Sequence, residues 1–161
     1  MSPQPEWVAV AGVWDKPRLT PGQFRAQCRK WKREMGLDLV VLDYLQLTQA
    51  DTRSNSRERE VAEFSRAAKG IAGEFDLHMV ILSQLNREAE RAPKPLISHV
   101  RDSGAVEQDA DNILLINPWQ SNEGDEVIPV TVDLAKGRNS AVGSFELFYR
   151  RKFLRFVNPA Q

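Results

Sequence analysis

The pattern of apolar and polar residues in the first half of the chain predicts two amphipathic helices. The segment Thr20–Gln23 reads Thr-Pro-Gly-Gln, which has the residues of a capping box with proline at the first helical position. Apolar residues then recur at helical spacing as far as Gly36, a residue typical of a helix C-terminus. After a polar stretch at 48–56, the segment 61–75 has one apolar and one charged face, which predicts the second helix.

Short apolar runs before, between and after these helices predict strands. They lie at 7–13, 39–42 and 79–82. The run at 39–42 has no alternation, which is typical of a strand covered on both faces. Because the predicted order is β-α-β-α-β, two right-handed crossovers should produce a parallel sheet with helices packed on its faces.

The second half of the chain is dominated by strand-like segments. The last two alternate between apolar and polar residues on either side of a basic turn, which predicts an antiparallel hairpin. We therefore expect an α/β fold, in which a mostly parallel sheet flanked by helices has a C-terminal antiparallel extension, within one domain over residues 1–161. The predicted strands of the second half lie at 113–116, 127–135, 145–149 and 153–157.

Composition restricts the classes of partner and the compartment. A chain of 161 residues with 42% hydrophobic content suits a single domain. Its 22 basic residues balance 22 acidic ones, so any contact with nucleic acid must be local. A lone cysteine, Cys28, excludes a disulfide framework and fits a reducing compartment. The N-terminal residues do not resemble a signal peptide, and no apolar run approaches the roughly 18 residues of a membrane span, so we expect a cytoplasmic protein without a membrane partner.

Polar residues end the two apolar runs that should form neighbouring parallel strands. Asp43 follows the run at 39–42, and Gln84 follows the run at 79–82. The carboxyl ends of parallel strands are where α/β sheets bind ligands. A carboxylate there can hold Mg²⁺ through its water shell, and a glutamine can sense a phosphate or orient a water. The residues alone leave open whether Asp43 has this role or caps the segment that follows.

Five segments, in one order along the chain, resemble those of a known family. Over residues 10–158 they are similar to the C-terminal RecA-like ATPase domain of DnaB-type replicative helicases, which are hexameric ring motors. The resemblance implies ATP-dependent DNA unwinding by the complete hexamer, with ATP and Mg²⁺ as cofactors. It also implies single-stranded DNA and other helicase subunits, in a homo- or hetero-hexamer, as partners. The segments are VVLDYLQL, SRAAKGIAGEF, VILSQLNREAE, HVRDSGAVEQDADNILLI and LAKGRNS.

The resemblance also implies roles for residues near the nucleotide. Asp43 matches the Walker B aspartate that acts on Mg²⁺, and Gln84 matches the glutamine that couples nucleotide state to the DNA-binding loops. Lys136 and Arg138 match a pair that reaches into the neighbouring subunit's nucleotide site, with Arg138 as the arginine finger. An arginine finger places a permanent planar charge on the phosphoryl-transfer transition state. The alternative for Arg138 is a turn residue that follows Gly137.

The DNA-binding role falls on a second segment. Arg101, Asp102 and Gly104 match the loop that grips the phosphate backbone in the central channel of the ring. A glycine beside a basic residue lets the main chain approach a phosphate closely without sequence preference. The alternative for Arg101 and Asp102 is a surface ion pair. Three nearby carboxylates could suggest a metal cluster, although the resemblance implies a structural role for them: Glu107, Asp109 and Asp111.

Two departures from the family pattern limit what the chain does alone. None of the nine glycines is followed by lysine, so the Walker A loop G-x-x-x-x-G-K-[ST] is absent. In the family this loop and the catalytic glutamate lie upstream, so the domain is expected to be truncated on its N-terminal side. Ser140-Ala141 also replaces the family's Gly-Pro after the arginine-finger turn. Neither ATP nor Mg²⁺ is expected to bind this chain tightly by itself.

Two interpretations of this partial set of residues remain open. The chain can be the C-terminal part of a helicase motor, or a catalytically inactive RecA-like module that binds or caps a complete helicase ring.

Overall fold

Helices and parallel strands form the first half of the chain, and antiparallel strands form the second. The computed structural model describes residues 11–51, 56–100, 103–118 and 124–159. Short 3₁₀ turns connect several of the elements. In chain order the elements are α1 (Pro21–Met35), β1 (Leu39–Leu42), α2 (Arg57–Phe75), β2 (His78–Ile81), α3 (Ser103–Asp109), β3 (Asn112–Pro118), β4 (Val127–Gly137), β5 (Gly143–Arg150) and β6 (Arg155–Val157).

The strands form two sheets in the described part of the chain. β1 and β2 pair in parallel, in register from Leu39 opposite His78 to Leu42 opposite Ile81. β3, β4, β5 and β6 form a four-stranded antiparallel sheet in that order. The predicted α/β class with an antiparallel extension is therefore confirmed. No helix among these residues has the length and apolar character needed to cross a membrane.

The first helix begins and ends as its sequence predicts. The Gln23 N–H donates to Thr20 Oγ1 at 3.4 Å, and the Thr20 N–H donates to Gln23 Oε1 at 3.4 Å, which is the reciprocal capping box. Gly36 ends the helix with a φ of 71°, a left-handed conformation that glycine adopts without a steric penalty. The buried face of α1 carries Phe24 and Cys28. Burial raises the pKa of the Cys28 thiol to about 11, so this thiol stays protonated in the core.

The main core lies between the two long helices and one face of the parallel strands. Val61, Phe64 and Ile71 of α2 are fully buried, and the Phe64 ring stacks on Phe24 with centroids 5.4 Å apart. Val40 of β1 belongs to the same cluster. Burial of such side chains supplies most of the stabilisation of a domain of this size.

The parallel strands are covered on one face in the described part of the chain. Val40 is buried, whereas its neighbours Leu39 and Val41 are 53% and 58% exposed. Val80, which pairs with Val41, is 46% exposed on the same face. The prediction that 39–42 is covered on both faces is wrong for these residues, because four apolar residues in a row do not reveal which face has a partner.

Other differences from prediction involve short elements. Residues 7–10 of the predicted first strand lie outside the described residues, and residues 11–13 are not in a strand. The helix α3 was not predicted. The last strand begins at Arg155, because residues 151–153 form a 3₁₀ turn. The predicted hairpin is confirmed, since β5 pairs with β6 in antiparallel register.

A β-bulge interrupts the pairing of β3 with β4. Ile113 lies opposite Lys136, but Leu114 lies opposite Leu134, so Ala135 is the extra residue on β4. The bulge changes which side chains of β4 face inward. It lies immediately before the end of β4 that carries the predicted basic pair.

Truncation of Phe64 in the core should destabilise the protein strongly. Phe64→Ala should lower the free energy of unfolding by about 3–5 kcal/mol, because it removes a fully buried ring and leaves a cavity. Phe153→Ala is the matched control, since Phe153 is 64% exposed, and it should change stability by less than about 0.5 kcal/mol. Urea unfolding of both variants measures the difference. Equal losses would mean that the core has been misplaced.

Candidate functional site

Asp43 and Gln84 emerge at the same edge of the parallel sheet. Asp43 directly follows β1, and Gln84 lies three residues beyond β2. Backbone hydrogen bonds continue the pairing past both strand ends. The Leu82 N–H donates to the Leu42 carbonyl at 3.0 Å, and the Leu45 N–H donates to the Leu82 carbonyl at 2.9 Å. The expected placement of both side chains at the carboxyl ends of parallel strands is therefore observed.

One further side chain, Gln46, links the two segments at this edge. Its Nε2 donates to Ser83 Oγ at 2.9 Å, and its Oε1 accepts from the Gln84 N–H at 3.3 Å. No role was predicted for Gln46 from the sequence. The available signal was a glutamine between Leu45 and Leu47, where an apolar pattern would place a third apolar residue. Gln46 fixes the backbone of Gln84 relative to the segment after Asp43.

Arg57 ties this segment to the start of α2. Its guanidinium donates to the Gln46 carbonyl at 2.8 Å and to the Thr48 carbonyl at 2.6 Å. It also forms an ion pair with Glu60 at 2.8 Å. The turn that follows Asp43 is therefore held by a charged side chain from the neighbouring helix.

The Asp43 carboxylate has the properties of a magnesium ligand. It is exposed at the sheet edge, and no described residue forms a hydrogen bond or an ion pair with it. Mg²⁺ is commonly held by one or two carboxylates together with waters and phosphate oxygens, so this single acid fits the ion. A group of three or more potential ligands is not found among the residues that the structure describes. The metal-cluster alternative for Glu107, Asp109 and Asp111 therefore has no support there.

Lys136 and Arg138 lie near the C-terminal end of α3. Asn112 pairs with Gly137, and the next step of that ladder is a hydrogen bond from the Arg138 N–H to the Asp111 carbonyl at 2.8 Å. The Arg138 Nε is 3.2 Å from Asp111 Oδ1. The Lys136 ammonium donates to the carbonyl of Glu107 in the last turns of α3. Both predicted basic residues are thus anchored on one short segment.

The Asp111 carboxylate bridges this segment to α2. Its Oδ2 forms an ion pair with Lys69, while its Oδ1 faces Arg138. The hydrogen bond from Lys69, together with the charges of Lys69, Arg138 and Lys136, holds the pKa of the Asp111 carboxyl below its ordinary value. Asp111 therefore remains ionised throughout the neutral range. The family resemblance implied only a structural role for Asp111.

Of the three predicted DNA-binding residues, only Gly104 lies among the described residues. Arg101 and Asp102 lie outside the described residues. A loop was expected at Gly104, but this residue belongs to the first turn of α3 and is therefore helical. It is exposed, and a Cβ at this position would meet nothing within 4 Å. Its proposed contact with DNA remains a prediction.

Four of the predicted site residues thus form two groups in the structure. Asp43 and Gln84 share the carboxyl edge of the parallel sheet, and Lys136 and Arg138 share the end of α3. Among the residues with described positions, no hydrogen bond or ion pair joins the two groups.

The contacts of Asp111 predict how its ionisation responds to Lys69. Because its pKa is lowered in the folded chain, the associated stabilisation is fully present above the ordinary pKa and is lost as the pH falls through the lowered value. Lys69→Met should raise the pKa of Asp111 towards the ordinary value, whereas Lys30→Met, on the exposed side of α1, should leave it unchanged. A carboxyl ¹³C titration by NMR measures both. An unaltered pKa in Lys69→Met would contradict the ion pair.

Comparisons with known proteins match almost the whole chain. The family described as "DnaB-like helicase C terminal domain" matches residues 9–158. A replicative DNA helicase DnaB from Geobacillus stearothermophilus is 36% identical over 155 residues, which cover 92% of this chain and 34% of the relative. Its counterpart from Leifsonia xyli is 41% identical over 150 residues, covering 91% of this chain and 33% of the relative. The chain therefore spans about a third of the length of these relatives.

Two solved structures have a similar fold. One contains a DnaB-like replicative helicase, described with its interactions with primase; it matches 91% of this chain and 36% of its own with a TM-score of 0.80 and 31% identity. The other is described as an ATPase domain, and it matches 91% of this chain and 54% of its own with a TM-score of 0.77 and 30% identity. The predicted fold class and the predicted family resemblance are both confirmed.

Proposed function

Because the chain belongs to the DnaB-like helicase C-terminal domain family, we propose that it works as the C-terminal part of a replicative helicase motor. In this proposal, residues 1–161 form a single partial domain that acts in the cytoplasm, within a hexameric ring of helicase subunits around single-stranded DNA. One observation carries the proposal. Lys136 and Arg138 are held together at the end of α3, although the chain itself has no Gly-Lys pair for a phosphate loop.

Asp43 is the proposed magnesium acid of the motor. Its exposed carboxylate follows a parallel strand at the edge where α/β sheets bind nucleotides. Bound ATP and Mg²⁺ would supply the transferable phosphoryl group and neutralise its charge. Asp43 would hold the ion in place, through either an oxygen or a bound water. The phosphate cradle must come from residues other than the glycines of this chain.

Gln84 is the proposed sensor of nucleotide state. Its backbone is fixed by Gln46, whereas its side chain is exposed at the same edge as Asp43. An amide can donate to a phosphate oxygen and accept from a water, so its hydrogen bonds change when a phosphate leaves. The segment after Gln84 leads to Val100, which pairs with Leu85 in an isolated bridge immediately before the DNA-binding residues. This bridge offers a short path from the nucleotide edge to the DNA.

Arg138 is the proposed arginine finger, and Lys136 is its companion. Their recorded contacts lie at and just beyond the end of α3, with Glu107 and Asp111. The Arg138 Nε faces Asp111, and one Nη reaches the Gln108 carbonyl only at 3.5 Å, so the Nη groups are the ones that a phosphate can engage. A guanidinium can bind a phosphate with two parallel N–H donors.

The arginine-finger role predicts complementation in mixed rings. When the chain is added to a helicase that has a phosphate loop but lacks its own arginine finger, the ATPase rate should rise at least about tenfold, short of the full 10³–10⁵ effect. Arg138→Ala should abolish this gain. Arg33→Ala, which removes an exposed arginine of α1, is the matched control and should preserve it. ATPase assays at concentrations where co-assembly is verified give the answer. Identical rates with the Arg138→Ala and unaltered chains would refute the role.

The DNA-binding role predicts weak, local binding. The isolated chain has zero net charge, so its affinity for single-stranded DNA should be low, independent of sequence and sensitive to salt. Arg101→Ala should lower that affinity and reduce the salt-dependence slope by about 0.7, the value for one phosphate contact on a single strand. Arg59→Ala, on the charged face of α2, serves as the control. Fluorescence anisotropy over a salt series measures both quantities, and an unchanged slope in Arg101→Ala would show that the DNA contact lies elsewhere.

A further inference from the structure

The register between β3 and β4 fixes the position of Arg138 relative to Asp111. The two residues occupy the step after the Asn112–Gly137 pair. The Arg138 N–H donates to the Asp111 carbonyl at 2.8 Å, and its Nε lies 3.2 Å from Asp111 Oδ1. A main-chain bond and a side-chain ion pair thus join the same two residues. The main-chain bond restricts the backbone position of Arg138, and the ion pair restricts the direction of its side chain.

A second cation restrains the Asp111 carboxylate itself. Lys69 of α2 binds Oδ2, the oxygen that does not face Arg138. With both oxygens engaged by different elements, rotation of the carboxylate would break at least one ion pair. Lys69 of α2 therefore sets the orientation of the Asp111 carboxylate, whose other oxygen faces Arg138.

The same segment connects Arg138 to the proposed DNA-binding residues. α3 begins at Ser103, directly after Arg101 and Asp102, and ends at Asp109, two residues before Asp111. The Lys136 ammonium contacts the Glu107 carbonyl, so the basic pair is anchored on the last turns of this seven-residue helix as well as beyond it. An Arg138 Nη lies 3.5 Å from the carbonyl of Gln108, which also belongs to α3, so a shift of α3 would act on both basic side chains.

We propose that Asp111 is a positioning residue for Arg138: its ion pair at Nε, together with the long contact of one Nη to the Gln108 carbonyl of α3, sets the direction in which the guanidinium is presented to a neighbouring nucleotide. The inference rests on the proposed function of Arg138. A purely stabilising role accounts poorly for the pair, because both side chains are about half exposed, at 47% and 49%, and surface ion pairs contribute little to stability. Orientation of a charged group matters far more to catalysis than to folding.

The first test measures, in the isolated chain, how strongly Asp111 restrains the Arg138 side chain. Hydrogen exchange of the Arg138 Nε–H, followed by ¹⁵N NMR, should accelerate about two- to fivefold in Asp111→Asn, because the substitution removes the charge of the exposed ion pair with Arg138. Glu107→Gln is the matched control. It removes a carboxylate from the same segment but keeps the Glu107 carbonyl that contacts Lys136, so exchange at Arg138 should stay unchanged. Unaltered exchange in Asp111→Asn would overturn the proposal.

The second test measures the catalytic consequence in mixed rings with a helicase that lacks its own finger. Asp111→Asn should lower kcat roughly tenfold, since a misplaced charged group is far less effective, while the KM for ATP and the melting temperature stay the same. Glu107→Gln should match the unaltered chain. If Arg138→Ala lowers the rate and Asp111→Asn does not, the positioning role is wrong although the proposed function stands. If Arg138→Ala has no effect, the proposed function fails, and the exchange measurement alone decides whether Asp111 holds Arg138.

Discussion

The pairing of β3 with β4 is the constraint on which the candidate site depends. It sets Asn112 opposite Gly137, so the residues just beyond, Asp111 and Arg138, must meet. The bulge at Ala135 changes the alternation of side chains immediately before this point. A slip of one residue would turn the basic pair to the opposite face of the sheet and separate it from α3. The register of β3 with β4 therefore sets the position of the basic pair, and the residues next to Lys136 and Arg138 in the sequence contribute little to it.

Features encoded within a few residues could be predicted from the sequence. The capping box of α1 lies wholly within Thr20–Gln23, and Gly36 ends the helix through its own backbone freedom. The edge that carries Asp43 and Gln84 follows from one crossover, through α2, between the parallel strands β1 and β2. Features that depend on distant partners could not be predicted. The segment of α3 has no extended apolar repeat, and the bulge becomes apparent only when two strands are aligned. The exposed face of β1 also reads like its buried face, because both carry leucine or valine.

The two groups of candidate residues differ in how they are held. At the parallel edge, Gln46 and Arg57 fix the backbone and leave the Asp43 carboxylate without a described partner, as suits the proposed role of Asp43 in holding Mg²⁺. At the end of α3, Lys136 and Arg138 are themselves engaged by protein groups. Such contacts set the direction of a long basic side chain before any phosphate arrives, which reduces the entropy lost on binding. The proposed roles differ accordingly: Asp43 would receive a ligand, whereas Lys136 and Arg138 would be presented to a neighbouring subunit.

Crosslinking from the turn after β4 tests most directly whether Lys136 and Arg138 serve a neighbouring subunit. Asn139→Cys places a thiol on an exposed residue beside Arg138, while Cys28 stays buried and protonated and should not react. In mixed rings with a DnaB-type helicase, a short thiol-to-amine crosslinker should join the introduced thiol to the phosphate-loop lysine of the partner, as identified by peptide mass spectrometry. Glu34→Cys, on exposed α1, should give no such product. Absence of that product from the Asn139→Cys chain in verified mixed rings, or crosslinks solely within its own chain, would contradict the account.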